Sequence, residues 1–565
     1  MNCNISRAAL FPLLSFAFVV VATVPEYSTS DDITMRSLIE GIYNSNAGPS
    51  EHVVFLNILY SKLLASFYSV APNILWYDAF LVFFLLVSWS VIGYVIFSTI
   101  RSSYIKILLS VILFAFSFVT FISLQYTAVS GICATSSVLA AIYLSSANCK
   151  RNAFLTLWVP AGIIVSGLLR FNEMLAILAL ASLLILCTVV VKSVHTSTSH
   201  KRQGHRIFLA VLCGLTISCI LKYYHNHNPG TQAVLPYKKA FNELFDYASP
   251  TVLTRGINAT QEEKLREIGW SATDYHMLIS SWYFTGEGIF DIQFVENIDS
   301  NIVQDGKRHF LNILKTFSRQ LYACGALPLL ILLFLLLPTK RFSILLASSY
   351  ICFVAYITLI CIYFKEPSFR VIFPMQVFLT FFLALKLESA QFREKFEILL
   401  PSRILTTAQI MCCLTVFLVY TIGIISHVQK RNNYSSMIWN YPFEPSKIYF
   451  YDMDAGILQP YKRASIDMSN KITFTWHQML PEHLNKMKNL GLFPDFWQKV
   501  CYNDNFRFLV GGENNNLGMN FYSFELLGEF IAKEYGLQSM PVVTNTHGTL
   551  TEYSITCTQA NDNNF

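Results

Sequence analysis

Charge is scarce in this 565-residue chain: Asp, Glu, Lys and Arg make up 13% of it, against 53% hydrophobic residues. A water-soluble domain usually carries about a quarter charged residues, so that class is excluded. Cysteines at redox or metal-binding spacing are also missing. The thirteen cysteines include no C-x-x-C pair, and most fall in apolar runs, where they read as small core residues. Internal repeats are absent, and ionisable residues do not recur near the middle of several apolar runs; a transporter would want both. No small-x-small cleavage site precedes Pro25, so residues 5–24 are expected to be a retained anchor with the N-terminus inside. Gly511-Gly512-Glu513 leads to no Lys-Ser/Thr pair, which leaves a turn rather than a phosphate loop.

What the chain has in quantity is apolar sequence in runs long enough to cross a bilayer. Further spans are expected at 76–99, 107–124, 127–147, 153–168, 172–192, 207–222, 321–338, 342–364, 371–388 and 404–426. This order puts Arg101, Lys106, Lys150, Arg151, Lys201, Arg202, Arg206, Lys340 and Arg341 on the inner side, as the positive-inside rule prefers. The net charge of +6 is therefore read as orientation, and no nucleic-acid partner is implied. The expected fold class is mainly α: a polytopic transmembrane helical bundle of about eleven spans, with interfacial helices in the first external loop.

Two larger polar segments fall outside. Residues 223–310, with a near capping box at Ser271 and Asp274, should form short helices over the membrane mouth. The tail, residues 427–565, should form a small external α/β domain beside the transmembrane domain of residues 1–426. Its strands are expected at 447–451 and 506–510, and its helix at 523–535, ended by Gly536. Cys501 and Cys557 are the two cysteines in this polar tail, and an outside location would let them form a disulfide.

The first external loop, from Pro25 to His52, holds five acidic side chains (Glu26, Asp31, Asp32, Glu40, Glu51) and His52 beside hydrocarbon. Carboxylates there are costly unless a pocket, a cation or a partner holds them. Asp31 is placed to N-cap a helix from Asp32 to about Ile42, with Gly41 near its end. Glu51 and His52 are placed to open a second amphipathic surface helix over 51–70.

A first span, an acidic pair, a surface helix, a Pro-x-Glu-His start and a second surface helix together resemble the C-type glycosyltransferase superfamily. Its members take sugars from polyprenyl-phosphate donors on the outer face of the membrane. The resemblance implies that Asp31 and Asp32 match the acidic residues of that loop, and that Arg370 matches a late-helix arginine. In such a transfer one carboxylate takes the acceptor hydroxyl proton. A second, Asp32, orients it or holds a divalent cation, Mg or Mn, on the phosphate.

Each candidate also has a structural reading. Asp31 and Asp32 suit a helix N-terminus on electrostatic grounds alone, as do Glu51 and His52. Arg170 and Glu173, in a short external link, and Arg370 could bind a lipid phosphate; the arginines could equally be snorkelling anchors. Asp452-Met-Asp454, His225 with His227, and the basic-loop histidines His195, His200 and His205 read as turn or solvated residues. Asn258 and Asn433 lie in glycosylation sequons.

The expectation is thus a membrane glycosyltransferase of the inverting, hexosyl-transferring type. It would move a sugar from a polyprenyl-phosphate donor to a glycan, lipid or protein acceptor at the cell surface. Its expected location is the plasma (inner) membrane, with the C-terminus outside. The rivals are a flippase or transporter of lipid-linked glycans, and a non-catalytic membrane scaffold.

Overall fold

A computed structural model describes residues 2–27, 30–43, 48–53, 55–101, 103–145, 152–192, 201–232, 259–267, 269–279, 340–363, 369–387, 441–451, 460–462, 469–473, 481–511, 521–547 and 550–559. The expected spans 321–338 and 404–426 lie outside these residues, as do His195, His200, Asn258, Asn433, Asp452 and Asp454.

Among the described residues, five helices are long and apolar enough to cross a membrane, which makes this a helical membrane protein by length and composition. The helical part begins with α1 (Asn2–Ala22), α2 (Ser30–Ile39) and α3 (Ile58–Val70). It continues with α4 (Trp76–Thr99), α5 (Ser103–Ile122), α6 (Tyr126–Leu144), α7 (Ala153–Lys192) and α8 (Lys201–Asn226). Phe83, Leu157, Leu186, Phe208 and Ile220 stand exposed on the flanks of these helices, as side chains facing lipid would.

The helix boundaries follow local chemistry. Asn57 caps α3 by accepting the Leu59 N–H at 3.0 Å. That cap starts the helix at Ile58, so Glu51 and His52 lie in the loop before it and do not open it, as the sequence had suggested. Gln125 caps α6 by accepting the Ala128 N–H at 2.8 Å. α2 begins at Ser30, which puts Asp31 and Asp32 inside its first turn instead of at its cap. Gly41 follows α2 at φ +77°, where a Cβ would also meet the Gly48 carbonyl carbon at 2.7 Å; only glycine fits. A two-residue parallel pairing ties the loop to the bundle: β1 (Glu26–Tyr27) lies against β2 (Ser123–Leu124), at the end of α5.

At forty residues α7 would be about 60 Å long if continuous, roughly twice the hydrocarbon thickness. It is not continuous. Arg170 adopts extended backbone, φ −155° and ψ 97°, and breaks it between the two spans expected there.

Two short helices of the middle segment, α9 (Ala259–Glu267) and α10 (Ala272–Ile279), follow α8. The capping box is formed in both directions: Asp274 Oδ2 accepts the Ser271 N–H at 2.7 Å, and Ser271 Oγ accepts the Asp274 N–H at 3.2 Å. These helices do not simply cover the bundle. Leu265, Trp270, Tyr275 and Met277 join the core of the tail instead. Then come α11 (Lys340–Tyr363) and α12 (Phe369–Leu387).

The tail contains a five-stranded mixed sheet, ordered β4 (Lys471–Thr473), β3 (Ile448–Tyr451), β5 (Phe506–Gly511), β7 (Leu550–Gln559), β6 (Leu537–His547). β3 runs parallel to β4 and β5; β7 is antiparallel to β5 and β6. Helices α13 (Pro481–Asn489), α14 (Phe496–Tyr502) and α15 (Phe521–Tyr535) complete it, and Gly536 ends α15 at φ +65°. Phe450, Phe496, Trp497, Phe506, Phe508 and Phe524 fill its aromatic core. Cys501 and Cys557 are joined in a disulfide.

α6 and α12 meet closely: a Cβ on Gly131 would lie 2.5 Å from the Pro374 ring, one turn beyond Arg370. Replacing Gly131 by Val must therefore push α12 away from α6, and overpacking of this kind costs about 1–3 kcal/mol. The thermal midpoint of the Gly131→Val protein in detergent should fall accordingly. An unchanged midpoint would mean that the two helices do not touch there.

Candidate functional site

The polar side chains gather where several helices begin. The first turns of α2, α4, α6 and α12 lie there, with the break in α7. Helix starts carry unpaired N–H groups and the positive end of the helix dipole, so this end favours anions.

Asp31 and Arg370, 339 residues apart in sequence, form an ion pair: Arg370 Nη1 donates to Asp31 Oδ2 at 3.1 Å. The pair is partly open, with side chains 17% exposed for Asp31 and 27% for Arg370. Beside it, Tyr126 feels the charges of Arg170, Arg370, Asp31 and Asp32 together. Arg170 Nη1 donates to the Tyr126 hydroxyl at 3.2 Å, and its guanidinium lies over the Phe55 ring (5.2 Å) and the Tyr126 ring (5.8 Å). Glu173, shortly past the break, is buried. The Tyr356 hydroxyl of α11 donates to the Ala176 carbonyl at 2.9 Å, packing α11 against this part of α7.

Asp32 differs from its neighbour. It is fully buried, and its Oδ1 accepts from the Tyr77 hydroxyl at 2.7 Å and from the Tyr126 N–H at 3.0 Å. These bonds join the starts of α2, α4 and α6. Asp32 is therefore a carboxylate that positions the first turn carrying Asp31. Both bonds engage Oδ1; among the described residues, no three His, Cys, Asp or Glu side chains gather as a metal-holding group.

Glu51 and His52 turn elsewhere. Glu51, half exposed, pairs with Lys62 at 3.5 Å, and the His52 ring packs against Gly230, where a Cβ would sit 2.2 Å from Cε1. His225 is a packing residue, its Nδ1 accepting the Ile58 N–H at 3.2 Å; the His227 ring lies tilted against that of Tyr223.

A second cluster, on Arg36 and Asp78, was not singled out from sequence. Arg36 donates to Glu40 at 3.0 Å, Asp78 at 3.2 Å, the Tyr27 hydroxyl at 3.1 Å and the Lys462 carbonyl at 2.7 Å. Asp78 also accepts from the Tyr27 hydroxyl, and from the Tyr461 N–H at 2.8 Å. Burial opposes the Arg36 cation, but Tyr27, Asp78 and Glu40 outweigh it and move its pKa up. A signal was available. Arg36 is the one Lys or Arg between Pro25 and Ser61, and Asp78 the one charged residue of α4. Ionisable residues at such places call for a partner.

The tail docks on the loop at a second point. Tyr43 Oη bonds His483 Nδ1 at 2.5 Å, and Lys486 Nζ donates to the Tyr43 carbonyl at 3.0 Å while lying 4.2 Å from the Tyr43 ring centre. Burial first, and Lys486 second, push the His483 pKa down from 6.5 to about 3.

No family model, curated protein or solved structure matches the chain.

Two outcomes follow from the clusters. Arg36→Met leaves Asp78 and Glu40 buried without their cation, and should cost about 3–5 kcal/mol of stability. Adding Asp78→Leu should recover part of that loss; thermal melts of the single and double variants read both values. The His483 effect has a definite sign. Its imidazole stays neutral in the fold, whereas the unfolded chain protonates it near 6.5, so the unfolded state binds more protons between pH 6.5 and 3. Stability should therefore fall as pH drops below about 6.5, by up to ~1.4 kcal/mol per unit from this group. In denaturation curves at pH 7.5, 6 and 5, His483→Gln should show a shallower decline than the parent; parallel declines would refute this.

Proposed function

We propose that the protein is a membrane glycosyltransferase resembling the C-type superfamily, moving a sugar from a polyprenyl-phosphate donor to an acceptor hydroxyl on the outer face. The observation that carries this reading is the Asp31–Arg370 pair: a carboxylate and a guanidinium side by side at a partly open rim. Such a site has a proton acceptor and a phosphate grip within one side-chain length of each other. Arg170, close by and held by Tyr126, adds a second cation.

The chemistry balances with these groups alone. Asp31 takes the proton from the acceptor hydroxyl as its oxygen attacks the anomeric carbon of the sugar. The bond from that carbon to the phosphate oxygen breaks on the opposite face, and its electron pair leaves on the phosphate. Arg370 stabilises the departing anion with charge-assisted hydrogen bonds, and attack opposite the leaving group inverts the sugar carbon. Asp32 positions the turn and takes no part in the bond changes.

The finer topology belongs to the same proposal. About eleven spans would place the N-terminus inside, and the α7 break, the loop and the tail sheet outside. The starts of α4, α6 and α12 meeting at one end supports this alternation, since all three would run inward from the outer face.

The test is Asp31→Asn, nearly the same shape but unable to accept a proton at neutral pH. The variant should fold and express normally, while transfer of sugar from a polyprenyl-phosphate donor falls by about 10²–10⁴-fold. Near-normal transfer would remove Asp31 from the role of base.

A further inference from the structure

We infer that Asp31 and the donor phosphate compete for Arg370, so that donor arrival releases the Asp31 carboxylate and the acceptor is engaged second. This rests on the glycosyltransferase reading above and adds an order of events to it.

Asp32 and Arg36 are fully buried; Asp32 is bonded to α4 and α6, and Arg36 to β1, α4 and the tail. Arg170 is seated on two rings and a hydroxyl. Asp31 and Arg370 meet instead at a rim that solvent and ligand can reach. Of the two carboxylates in the first turn of α2, Asp31 is thus the one whose partner an incoming anion can take.

A base clamped to a guanidinium is a poor base, because its lone pairs and its charge are already engaged. A phosphate approaching Arg370 meets the Asp31 charge, and two anions on one cation repel strongly in a half-buried place of reduced dielectric. Asp31 is expelled, and its oxygen becomes able to accept the acceptor proton. The phosphate that will leave thereby switches on the base. Without donor, the ion pair keeps Asp31 idle, and no acceptor hydroxyl is activated.

Competition makes a prediction opposite to that of a shared binding site. Removing the Asp31 charge should tighten phosphate binding even as transfer falls. Full-length protein in lipid nanodiscs is titrated with undecaprenyl phosphate and, separately, with inorganic phosphate. Asp31→Asn should bind undecaprenyl phosphate about five- to tenfold more tightly than the parent. Arg370→Gln should weaken binding about tenfold or more, and the double variant should show no gain from Asn at position 31. Asp31→Ser, which removes the same charge, repeats the test if the asparagine protein melts early. Equal or weaker binding by both Asp31 variants, with Arg370→Gln still impaired, overturns the competition and leaves the donor reading in place. Unchanged binding by Arg370→Gln removes the donor grip and with it both proposals. Tightening with undecaprenyl phosphate alone supports the exchange and assigns the anion to a lipid headgroup. Tightening with both ligands supports it for the phosphate group itself.

Discussion

A guanidinium withdrawn from water constrains everything around the site. Arg36 cannot be buried at tolerable cost unless oxygen acceptors surround it, and the chain supplies them from the end of α2, α4, β1 and the tail. Once those groups have converged, the start of α2 has little freedom. Asp32 is then bonded to Tyr77 and Tyr126, and the β1–β2 pairing closes the remaining side. Asp31 is carried to the rim by the turn that Asp32 ties to α4 and α6. The resulting arrangement is buried behind and partly open in front, the kind of setting preorganised chemistry needs.

The parts of the fold legible in sequence were those written in local grammar. Apolar runs located α4, α5 and α6; the Ser271–Asp274 box and Gly536 located α10 and the end of α15; short runs rich in aromatic and β-branched residues located β3 and β5. The link at Arg170 was read as a break because Leu-Leu-Arg-Phe-Asn-Glu interrupts an apolar stretch, and the backbone leaves the helix at that arginine. Start positions were less legible. α3 begins at its Asn57 cap rather than at the charged Glu51, since a side-chain bond to an N–H outweighs the general preference for acid near a helix start.

The candidate site was legible only in part, for a different reason. Asp31, Arg170 and Arg370 were visible as charges beside hydrocarbon. Which of them pair depends on long-range packing, which no window of sequence contains. Arg36 and Asp78 were missed because each looks ordinary alone: one charge on a polar helix, one acid at the head of a span. Their significance is mutual. The same holds for Tyr43 and His483, 440 residues apart, and for the middle-segment helices whose aromatic residues belong to the tail's core.

At the Arg36–Asp78 cluster the tail is held through its main chain. Arg36 reads the carbonyl of Lys462, and Asp78 reads the N–H of Tyr461; both tail groups are present whatever side chain they carry. Tyr461 adds its ring against Phe16 and its hydroxyl to the Phe121 carbonyl, from a left-handed backbone at φ +63°. Tolerance to change is therefore lopsided across this junction. Position 462 is open to many residues during evolutionary drift, whereas the loop side demands one arginine and one aspartate. A lineage could rewrite much of the tail's surface while the joint that ties it to α2 and α4 stays the same.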